Sequence, residues 1–502
     1  MVEAFSTTTP PRTEAQHLPV VVIGAGPVGL AAAAHLLERG LTPRILEAGP
    51  DVGASIRAWG HTRLFSPWQY NIDSAAERLL ETSGWTEPDA QALPTGTELV
   101  EQYLEPLATT TSLAEHVRTD TRVLAVTRAG MDKTRTTGRA DAPFLVRTQH
   151  PDGTIEDFQA SAVIDTSGTW TRSNPLGQSG LPAPGEDEAI AAGRITTALP
   201  DVTGRDRKRF AGRHVLVVGA GHSAANTLLE LGSLAEDEPD TRISWAVRSA
   251  DVSSVYGGED RDELAARGAL GTRLRRLVDS GVIEIHTSFT ITNFTTTEHG
   301  FSVHASTPTG EQTLAVDRVV PATGFRPDLG MLSELRLEMD PAVDAPRQLG
   351  PLIDPEFHSC GSVAPHGERT LAHPEPGFYI AGMKSYGRAP TFLMATGYEQ
   401  VRSIAASLAG DQAAADAVQL DLPETGVCST DLGGSCDAPA PSTQEADQGC
   451  CALVSEELGN VRPERVSLVV KRTGGTPPDS TRSWNPDPSS IESTDHQARE
   501  AT

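Results

Sequence analysis

An approximate internal repeat constrains the fold of this chain more than any other feature of its sequence. Each copy has a short apolar strand, a glycine-rich turn and an Ala/Leu-rich segment of helical period: VVVI, GAGPVG and LAAAAHLLERG from position 20, then VLVV, GAGHSA and ANTLLELGSL from position 215. In both copies a second strand is predicted to follow, at 43–47 and 243–248. A buried strand that enters a helix through a glycine turn is typical of parallel α/β units. The sequence therefore predicts an α/β fold with two such units.

The later half of each copy repeats as well. Segments of β type bracket a Pro-x-Gly turn, at 151–153 in the first copy and at 308–310 in the second, where a hairpin must reverse. Each copy then ends on a hydrophobic strand and a small-residue turn, at 166–168 and 322–324. Because further apolar segments follow residue 325, we expect one unit to be interrupted by the other.

The first glycine turn has the spacing Gly24-x-Gly26-x-x-Gly29. Gly24 permits the tight turn, Gly26 lets the backbone approach a pyrophosphate, and Gly29 lets the helix pack against the strand. The phosphates would meet unpaired backbone N–H groups and the positive end of the helix dipole. Glu47 lies at the end of the predicted second strand, where a carboxylate accepts hydrogen bonds from ribose hydroxyls. This combination predicts a dinucleotide site in preference to a chance glycine-rich turn.

The second turn has the spacing Gly219-x-Gly221-x-x-Ala224, in which alanine is an allowed replacement for the third glycine. Arg248 and Ser249 stand at the end of its second strand, where a site for NADH carries an acidic residue. A guanidinium suits the 2′-phosphate of NADPH through charge-assisted, bidentate hydrogen bonds. The alternative is that Arg248 is an ordinary exposed arginine. Two dinucleotide sites in one chain predict hydride transfer from NADPH to a flavin.

Composition and charge exclude other classes of protein. The 502 residues include 41 Lys+Arg and 67 Asp+Glu, a formal net charge of −26, which disfavours nucleic acid and anionic membranes as partners. The first 20 residues lack the pattern of a signal peptide, and no apolar run resembles a membrane span. Five cysteines are too few for a disulfide scaffold. We therefore expect a cytoplasmic protein that acts on a small molecule; its oligomeric state stays open.

Across residues 18–410 the pattern resembles the two-dinucleotide-binding-domain flavoproteins. The resemblance implies a FAD-binding Rossmann-like (ββα) domain that is interrupted by a second, NADPH-binding Rossmann-like domain. It also implies that the segment around Gly382 helps to hold the flavin. The predicted domains are an N-terminal tail (1–17), the first segment of the FAD-binding domain (18–175), the NADPH-binding domain (176–325), the second segment of the FAD-binding domain (326–422) and a Cys-containing tail expected to be disordered (423–502), in which only VSLVVKR (466–472) could form a strand.

The cysteines argue against a disulfide reductase of this superfamily. The sequence contains no Cys-x-x-Cys pair, and it has Gly382-Met383 where those reductases carry Gly-Asp. DTSGTW (165–170) and VVPATGFRP (319–327) resemble the linkers of class B flavin monooxygenases, whereas ITTALP (195–200) replaces the fingerprint of the Baeyer–Villiger enzymes. HTRLFSPWQYNID, KSYGRAPTFLMATGYEQ and LPETGVCSTD are most similar to the flavoprotein monooxygenases of bacterial arsenic-resistance operons.

The resemblance implies a chemistry. NADPH reduces FAD, NADP⁺ stays bound, and a C4a-(hydro)peroxyflavin oxygenates a soft nucleophile such as sulfur, nitrogen or trivalent arsenic, with O₂ as the second substrate. Because this requires excluded water and preorganised hydrogen bonds, not a protein nucleophile, no catalytic residue is assigned. The predicted cofactor-binding residues are Gly24, Ala25, Gly26, Pro27, Val28, Gly29, Glu47, Ala48, Trp68, Gly168, Gly382, Gly219, Gly221, His222, Ser223, Ala224, Arg248, Ser249 and Gly324.

Some aromatic and histidine residues keep two interpretations. Trp68, in the segment SPWQYN, either contacts the flavin face or is a core residue. His222 lies within the second glycine turn and is expected near the NADPH pyrophosphate. His358, His366 and His373 have no spacing of a metal template, so they are expected to be structural or solvent-facing.

Two alternative functions follow from the same residues. One is an NADPH-dependent flavin reductase or oxidase that passes electrons to a thiol or a partner acceptor. The other is a flavoprotein that binds a metalloid through the vicinal thiols of Cys450 and Cys451, since thiolates are soft ligands. The competing interpretation is that Cys450 and Cys451 are incidental residues of the tail, without a role in binding.

Overall fold

Two parallel β-sheets, each containing one of the repeated strand–turn–helix units, organise the chain. The protein is seen in a computed structural model, which describes residues 18–256, 265–297, 300–357, 363–390 and 392–420. The strands are β1 (Val20–Ile23), β2 (Pro43–Leu46), β3 (Val117–Arg118), β4 (Arg122–Arg128), β5 (Phe144–Gln149), β6 (Ile155–Ala160), β7 (Ala162–Asp165), β8 (His214–Val218), β9 (Arg242–Ala246), β10 (Ile283–His286), β11 (Thr290–Thr297), β12 (Gly300–Thr307), β13 (Gly310–Val316), β14 (Arg318–Pro321) and β15 (Phe378–Ile380). The helices are α1 (Pro27–Glu38), α2 (Ala54–Ala58), α3 (Ser74–Glu81), α4 (Gly96–Leu99), α5 (Glu105–Thr110), α6 (Glu186–Ala191), α7 (Arg207–Phe210), α8 (His222–Asp237), α9 (Ala265–Asp279), α10 (Gly350–Ile353), α11 (Glu368–Leu371), α12 (Met394–Leu408) and α13 (Gln412–Asp416).

The first sheet has the strand order β15-β7-β1-β2-β3, and its strands are parallel. β1 lies at its centre, in register with β2 on one side and with β7 on the other. β15 completes the sheet beside β7, although the whole second sheet lies between these two strands in the sequence. The first unit is therefore interrupted by the second, as the sequence predicts.

The second sheet repeats this arrangement with the order β10-β9-β8-β14, again parallel. β8 lies between β9 and β14, just as β1 lies between β2 and β7. Residues 215–218 of β8 are all buried. A parallel strand that is covered on both faces forms a continuous apolar run, which is why VLVV shows no polar alternation.

Each sheet is covered by helices on one face and by a three-stranded antiparallel sheet on the other. In the first unit Val22 packs in a core with α1, α3, α5 and α12, whereas Val21 packs in a core with β4, β5 and β6. In the second unit Val217 packs with α8 and α9, whereas Leu216 packs with β11, β12 and β13. The alternation follows from the two-residue period of a strand. The internal repeat therefore extends through both cores.

The predicted hairpins and second strands occur with small shifts. β5 pairs with β6, and β12 with β13, so both predicted reversals are confirmed. β2 ends at Leu46 and β9 ends at Ala246, one and two residues before the ends that the sequence predicts. Glu47 and Arg248 therefore lie in the loops that follow these strands, because strand pairing stops before the polar residues begin.

The predicted tails and the cysteines lie outside the described residues. This holds for residues 1–17, for residues 421–502 with the strand candidate at 466–472, and for His358 and Cys360. Among the helices of the described ranges, none has the length and apolar composition needed to span a bilayer.

A buried ion pair joins the carboxyl ends of β7 and β15. The ammonium group of Lys384, 1% exposed, lies 2.7 Å from the carboxylate of Asp165, 0% exposed, and donates a second hydrogen bond to Ser167 Oγ at 3.0 Å. Asp165 also accepts hydrogen bonds from the N–H and O–H of Ser167. The pair therefore holds β15, which follows the second unit in the sequence, against β7, which precedes that unit.

We expect Lys384→Met to lower the free energy of unfolding by about 3–5 kcal/mol, because it leaves the Asp165 carboxylate buried without its partner. The double variant Lys384→Met/Asp165→Leu should recover some of this loss. Urea unfolding followed by circular dichroism measures both effects.

The matched control for this prediction is Arg147→Met, which breaks the exposed pair between Arg147 and Asp157 on the β5–β6 hairpin. It should leave the unfolding midpoint unchanged, since exposed ion pairs contribute little. A Lys384→Met protein as stable as the control would show that the buried pair does not stabilise the sheet.

Candidate cofactor sites

The first glycine turn lies at the carboxyl end of the first sheet and opens α1. Gly24 has a φ of +100°, and a Cβ there would lie 3.1 Å from Ser167 Cα. A Cβ on Gly29 would lie 2.0 Å from the carbonyl oxygen of Gly24, so α1 approaches β1 only with glycine here. Gly26 caps α1 without a side-chain hydrogen bond, and a Cβ on it would meet nothing within 4 Å. Pro27 occupies the first helical position, where its missing N–H costs no hydrogen bond.

Glu47 joins the end of β2 to this turn. Its carboxylate accepts hydrogen bonds from the N–H of Ala25 at 2.7 Å and from the N–H of Gly49 at 2.8 Å. Each oxygen keeps a further lone pair, and the neighbouring Ala48 is exposed. The structure therefore brings the predicted ribose acceptor against the predicted pyrophosphate turn.

The segment after β15 returns to the same turn. Gly382 faces α1: a Cβ on it would lie 3.3 Å from the side chain of Val28. The N–H of Gly382 donates to Gln400 Oε1 at 2.8 Å, and Gln400 Nε2 lies 2.9 Å from His366 Nε2. Gln400 and His366 are buried, and burial lowers the pKa of His366. Sequence reasoning placed Gly382 near the flavin but missed Gln400, because a lone glutamine inside a helix carries no motif.

The segment before α3 is held by its own hydrogen bonds. The amide of Asn71, 1% exposed, donates to the carbonyls of Ser66 and Pro67 and accepts from Ser66 Oγ. Tyr398 of α12 donates to the carbonyl of Asn71 at 2.7 Å. Trp68 is 3% exposed and belongs to the core of the first unit. Its burial supports the interpretation of Trp68 as a core residue, and a contact with the flavin stays a prediction.

The second glycine turn repeats the geometry of the first. Gly219 has a φ of +132°, and a Cβ there would lie 2.1 Å from the carbonyl oxygen of Ala322. Gly221 caps α8 without a side-chain hydrogen bond and has open space beside its Cα, while the methyl group of Ala224 is fully buried. Trp245 Nε1 donates to the carbonyl of Gly219 at 2.7 Å. This tryptophan supports the turn. The sequence does not indicate that role, because Trp245 lies within an ordinary apolar strand.

The other residues predicted for NADPH lie around the start of α8 and the end of β9. His222 and Ser223 form the first turn of α8 and are half-buried. The ring of His222 lies 5.1 Å from the ring of Phe65, which comes from the first unit. Arg248 is exposed in the loop after β9, and the adjacent Ser249 is half-buried. Phe65 therefore connects the first unit to the second glycine turn.

The two linkers between the units pair with each other. The N–H of Asn174 donates to the carbonyl of Gly324 at 2.9 Å, and its side-chain amide donates to the carbonyl of Thr323 at 3.0 Å. Thr323 Oγ1 donates to the carbonyl of Asn174 at 2.8 Å. Gly168 and Gly324 have φ values of +70° and +81°, where glycine is favoured. Within the predicted linkers themselves, the ring of Trp170 in DTSGTW lies 4.9 Å from the ring of Phe325 in VVPATGFRP. Asn174, which follows DTSGTW, is a further anchoring residue.

The remaining described histidine of the predicted loose group is structural. His373 is 9% exposed, and its Nδ1 accepts a hydrogen bond from the N–H of Glu338 at 3.3 Å. Burial lowers the pKa of His373 to about 4. It is therefore neutral at physiological pH and does not face solvent.

The shape of both glycine turns fits a dinucleotide. Each places an uncapped helix N-terminus beside an open Cα face, at Gly26 and at Gly221. Backbone N–H groups and the helix dipole favour an anion at such a position. A pyrophosphate can therefore approach both turns without displacing a side chain.

Comparison with known proteins identifies the family. Residues 21–348 match the family described as pyridine nucleotide-disulphide oxidoreductase. The chain belongs to this family. It is 26% identical over 334 residues to the bifunctional thioredoxin reductase/thioredoxin of Mycobacterium leprae (66% of this chain, 57% of the relative). It is 24% identical over 258 residues to the flavin-containing monooxygenase FMO GS-OX-like 2 of Arabidopsis thaliana (46% of this chain, 50% of the relative).

The chain thus spans about half the length of the curated relatives it matches. Among solved structures, the bacillithiol disulfide reductase Bdr of Bacillus cereus shares the fold, with a TM-score of 0.58 and 20% identity over 78% of this chain and 99% of that one. The family match and the shared fold confirm the prediction of an α/β oxidoreductase that uses a pyridine nucleotide. Both disulfide reductases and flavin monooxygenases occur among the similar proteins.

Two alanine substitutions in the first turn should separate folding from flavin binding. Gly26→Ala should leave the stability of the flavin-free protein unchanged, because its Cβ meets nothing, but should reduce the bound flavin by about tenfold or more by blocking the pyrophosphate. Gly29→Ala should destabilise the flavin-free protein, because its Cβ overlaps the Gly24 carbonyl. Flavin content per polypeptide and thermal unfolding of the stripped protein measure the two effects. A Gly26→Ala protein with full flavin content would exclude the turn as the pyrophosphate site.

Proposed function

We propose that this protein is an NADPH-dependent FAD monooxygenase that transfers one oxygen atom of O₂ to a soft nucleophile such as sulfur, nitrogen or trivalent arsenic. NADPH supplies two electrons as a hydride which, together with a proton, reduces the second oxygen atom to water. The observation that carries the proposal is the absence of any Cys-x-x-Cys pair from the sequence of a chain of this family. Without that dithiol, electrons from the flavin require another acceptor, and O₂ is the one that the monooxygenase resemblance implies.

The chain's own residues would bind and align the cofactors. We assign the FAD pyrophosphate to the turn at residues 24–29 and its ribose to Glu47, with Gly382 beside the turn. We assign the NADPH pyrophosphate to the turn at residues 219–224. FAD bound there would supply the redox chemistry that connects NADPH with O₂. The paired linkers hold the two turns in one structure. The alignment of the two cofactors would therefore come from the fold and would not require a catalytic acid or base.

The substrate class follows from the resemblance and from the charge of the chain. Segments such as HTRLFSPWQYNID favour a trivalent arsenical as the soft nucleophile. A net charge of −26 also favours a neutral or cationic substrate over an anion. We further propose the domain boundaries given above, a cytoplasmic location, and no nucleic-acid or membrane partner.

Arg248→Asp should weaken NADPH binding by about 1.5–3 kcal/mol if the guanidinium holds the 2′-phosphate, since hydrogen bonds to charged groups contribute that much. The measurement is the ratio of kcat/KM for NADPH to that for NADH. The matched control is Arg242→Asp, which makes the same charge change at the amino end of β9 and should leave the ratio unaltered. An unchanged ratio in Arg248→Asp would identify Arg248 as an ordinary exposed arginine.

The experiment that tests the proposed function uses NADPH, ¹⁸O₂ and three nucleophiles, namely a trivalent organoarsenical, a thioether and a tertiary amine. We expect one of them to gain a single ¹⁸O atom, detected by mass spectrometry, with NADPH consumed in a 1:1 ratio to product. NADPH oxidation that releases only hydrogen peroxide, with no labelled product, would contradict the proposal and favour an oxidase.

A reductase is the second candidate, favoured by the thioredoxin reductase relative and by the family description. It predicts NADPH-dependent reduction of a disulfide that is lost in a full-length variant with Cys428, Cys436, Cys450 and Cys451 replaced by serine. A metalloid-binding role of the same cysteines predicts instead that this variant loses arsenite binding in equilibrium dialysis while NADPH oxidation is unaffected.

A further inference from the structure

One histidine and two carboxylates from separate segments of the chain converge. His61 follows α2, Asp201 precedes α7, and Glu230 lies in the middle of α8. One ligand atom of each residue lies within 4.8 Å of those of the other two, and all three side chains are half-buried. His61 Nε2 lies 3.7 Å from Glu230 Oε1. The fold, not local spacing in the sequence, therefore assembles this group, here called the His61 cluster.

Backbone hydrogen bonds orient the two carboxylates of the His61 cluster. Asp201 accepts from the N–H of Gly204 and from the N–H of Arg205, each at 2.9 Å. Glu230 accepts from the N–H of Val202 through Oε2 at 3.2 Å, which leaves Oε1 directed to His61. Oxygen and imidazole donors are thus held in place before any ion arrives, so little order is lost on binding.

The cationic neighbour Arg205 pairs with a carboxylate outside the His61 cluster. Burial lowers the pKa of His61 against the opposing charge of Asp201, and burial raises the pKa of Glu230 to about 7. A His–Glu ion pair would shift both pKa values the other way. Arg205 is mostly exposed and lies 3.8 Å from a different carboxylate, that of Asp206.

We propose that His61, Asp201 and Glu230 bind a divalent transition metal ion of the Zn²⁺ type. Imidazole and carboxylate donors suit this ion, and three protein ligands leave the fourth tetrahedral position to water. Bond lengths of about 2.0–2.2 Å place neighbouring ligand atoms about 3.3–3.6 Å apart, so the three ligand atoms, now within 4.8 Å of one another, would draw together around the ion. His61 comes from the first unit and the other two residues from the second, so the ion would hold the segment before Phe65 against α8. This inference does not depend on the proposed oxygenation.

The test is a calorimetric titration of the flavin-loaded, full-length protein with Zn²⁺. The wild type should bind one equivalent more than His61→Ala and one more than Glu230→Gln. Thiols of the tail also bind Zn²⁺, but they are present in every variant, so the difference of one equivalent reports the cluster. The matched control is His150→Ala, because His150 Nε2 lies 3.3 Å from Glu156 Oε2 on the β5–β6 hairpin without belonging to the three-ligand group. It should bind as the wild type does.

Thermal unfolding provides a second readout. Zn²⁺ should raise the unfolding temperature of the wild type and of His150→Ala, and this added rise should be absent from both cluster variants. If His61→Ala fails to fold, His61→Gln keeps a polar side chain without an imidazole ligand and should give the same loss. Equal Zn²⁺ stoichiometry and equal thermal shifts in the wild type and the folded cluster variants would overturn the proposal.

Discussion

The fold depends on a steric constraint that occurs twice, the close approach of a glycine turn to the neighbouring parallel strand. At Gly24 the backbone passes the residues that follow β7, and at Gly219 it passes the carbonyl of Ala322 after β14. A side chain at either glycine would separate turn from strand. The same approach leaves each helix N-terminus uncapped and open, so the feature that allows the sheet to pack also creates the place for a pyrophosphate.

The interruption of one unit by the other determines how the two sites are combined. β15 returns to the first sheet after the whole second unit, and it is held there by register with β7 and by the ion pair between Lys384 and Asp165. The two linkers cross at Asn174 and Gly324 through a short set of hydrogen bonds. One chain therefore carries both glycine turns in a single structure.

Sequence patterns predicted the features of this molecule that local chemistry dictates. The glycine spacing, the apolar runs of β1 and β8 and the hairpin turns each depend on neighbouring residues, and they were found at the predicted positions. The ends of β2 and β9 were shifted by one and two residues. The interruption was also predictable, because the repeat made the second unit visible. Trp245, Gln400 and Lys384 were not, since each is defined by a partner distant in the sequence: the carbonyl of Gly219, the N–H of Gly382 and the carboxylate of Asp165. The His61 cluster escaped notice for the same reason.

We propose that this one chain holds NADPH and FAD so that a hydride passes between them. Anaerobic rapid mixing of the flavin-loaded protein with NADPH, unlabelled or deuterated at the transferred position, tests it most directly. We expect one equivalent of NADPH to remove the absorbance of the oxidised flavin, more slowly with the deuterated cofactor, because the transferred hydrogen leaves the nicotinamide in that step. A flavin that stays oxidised in the presence of excess NADPH would rule out hydride transfer between the two cofactors on this chain.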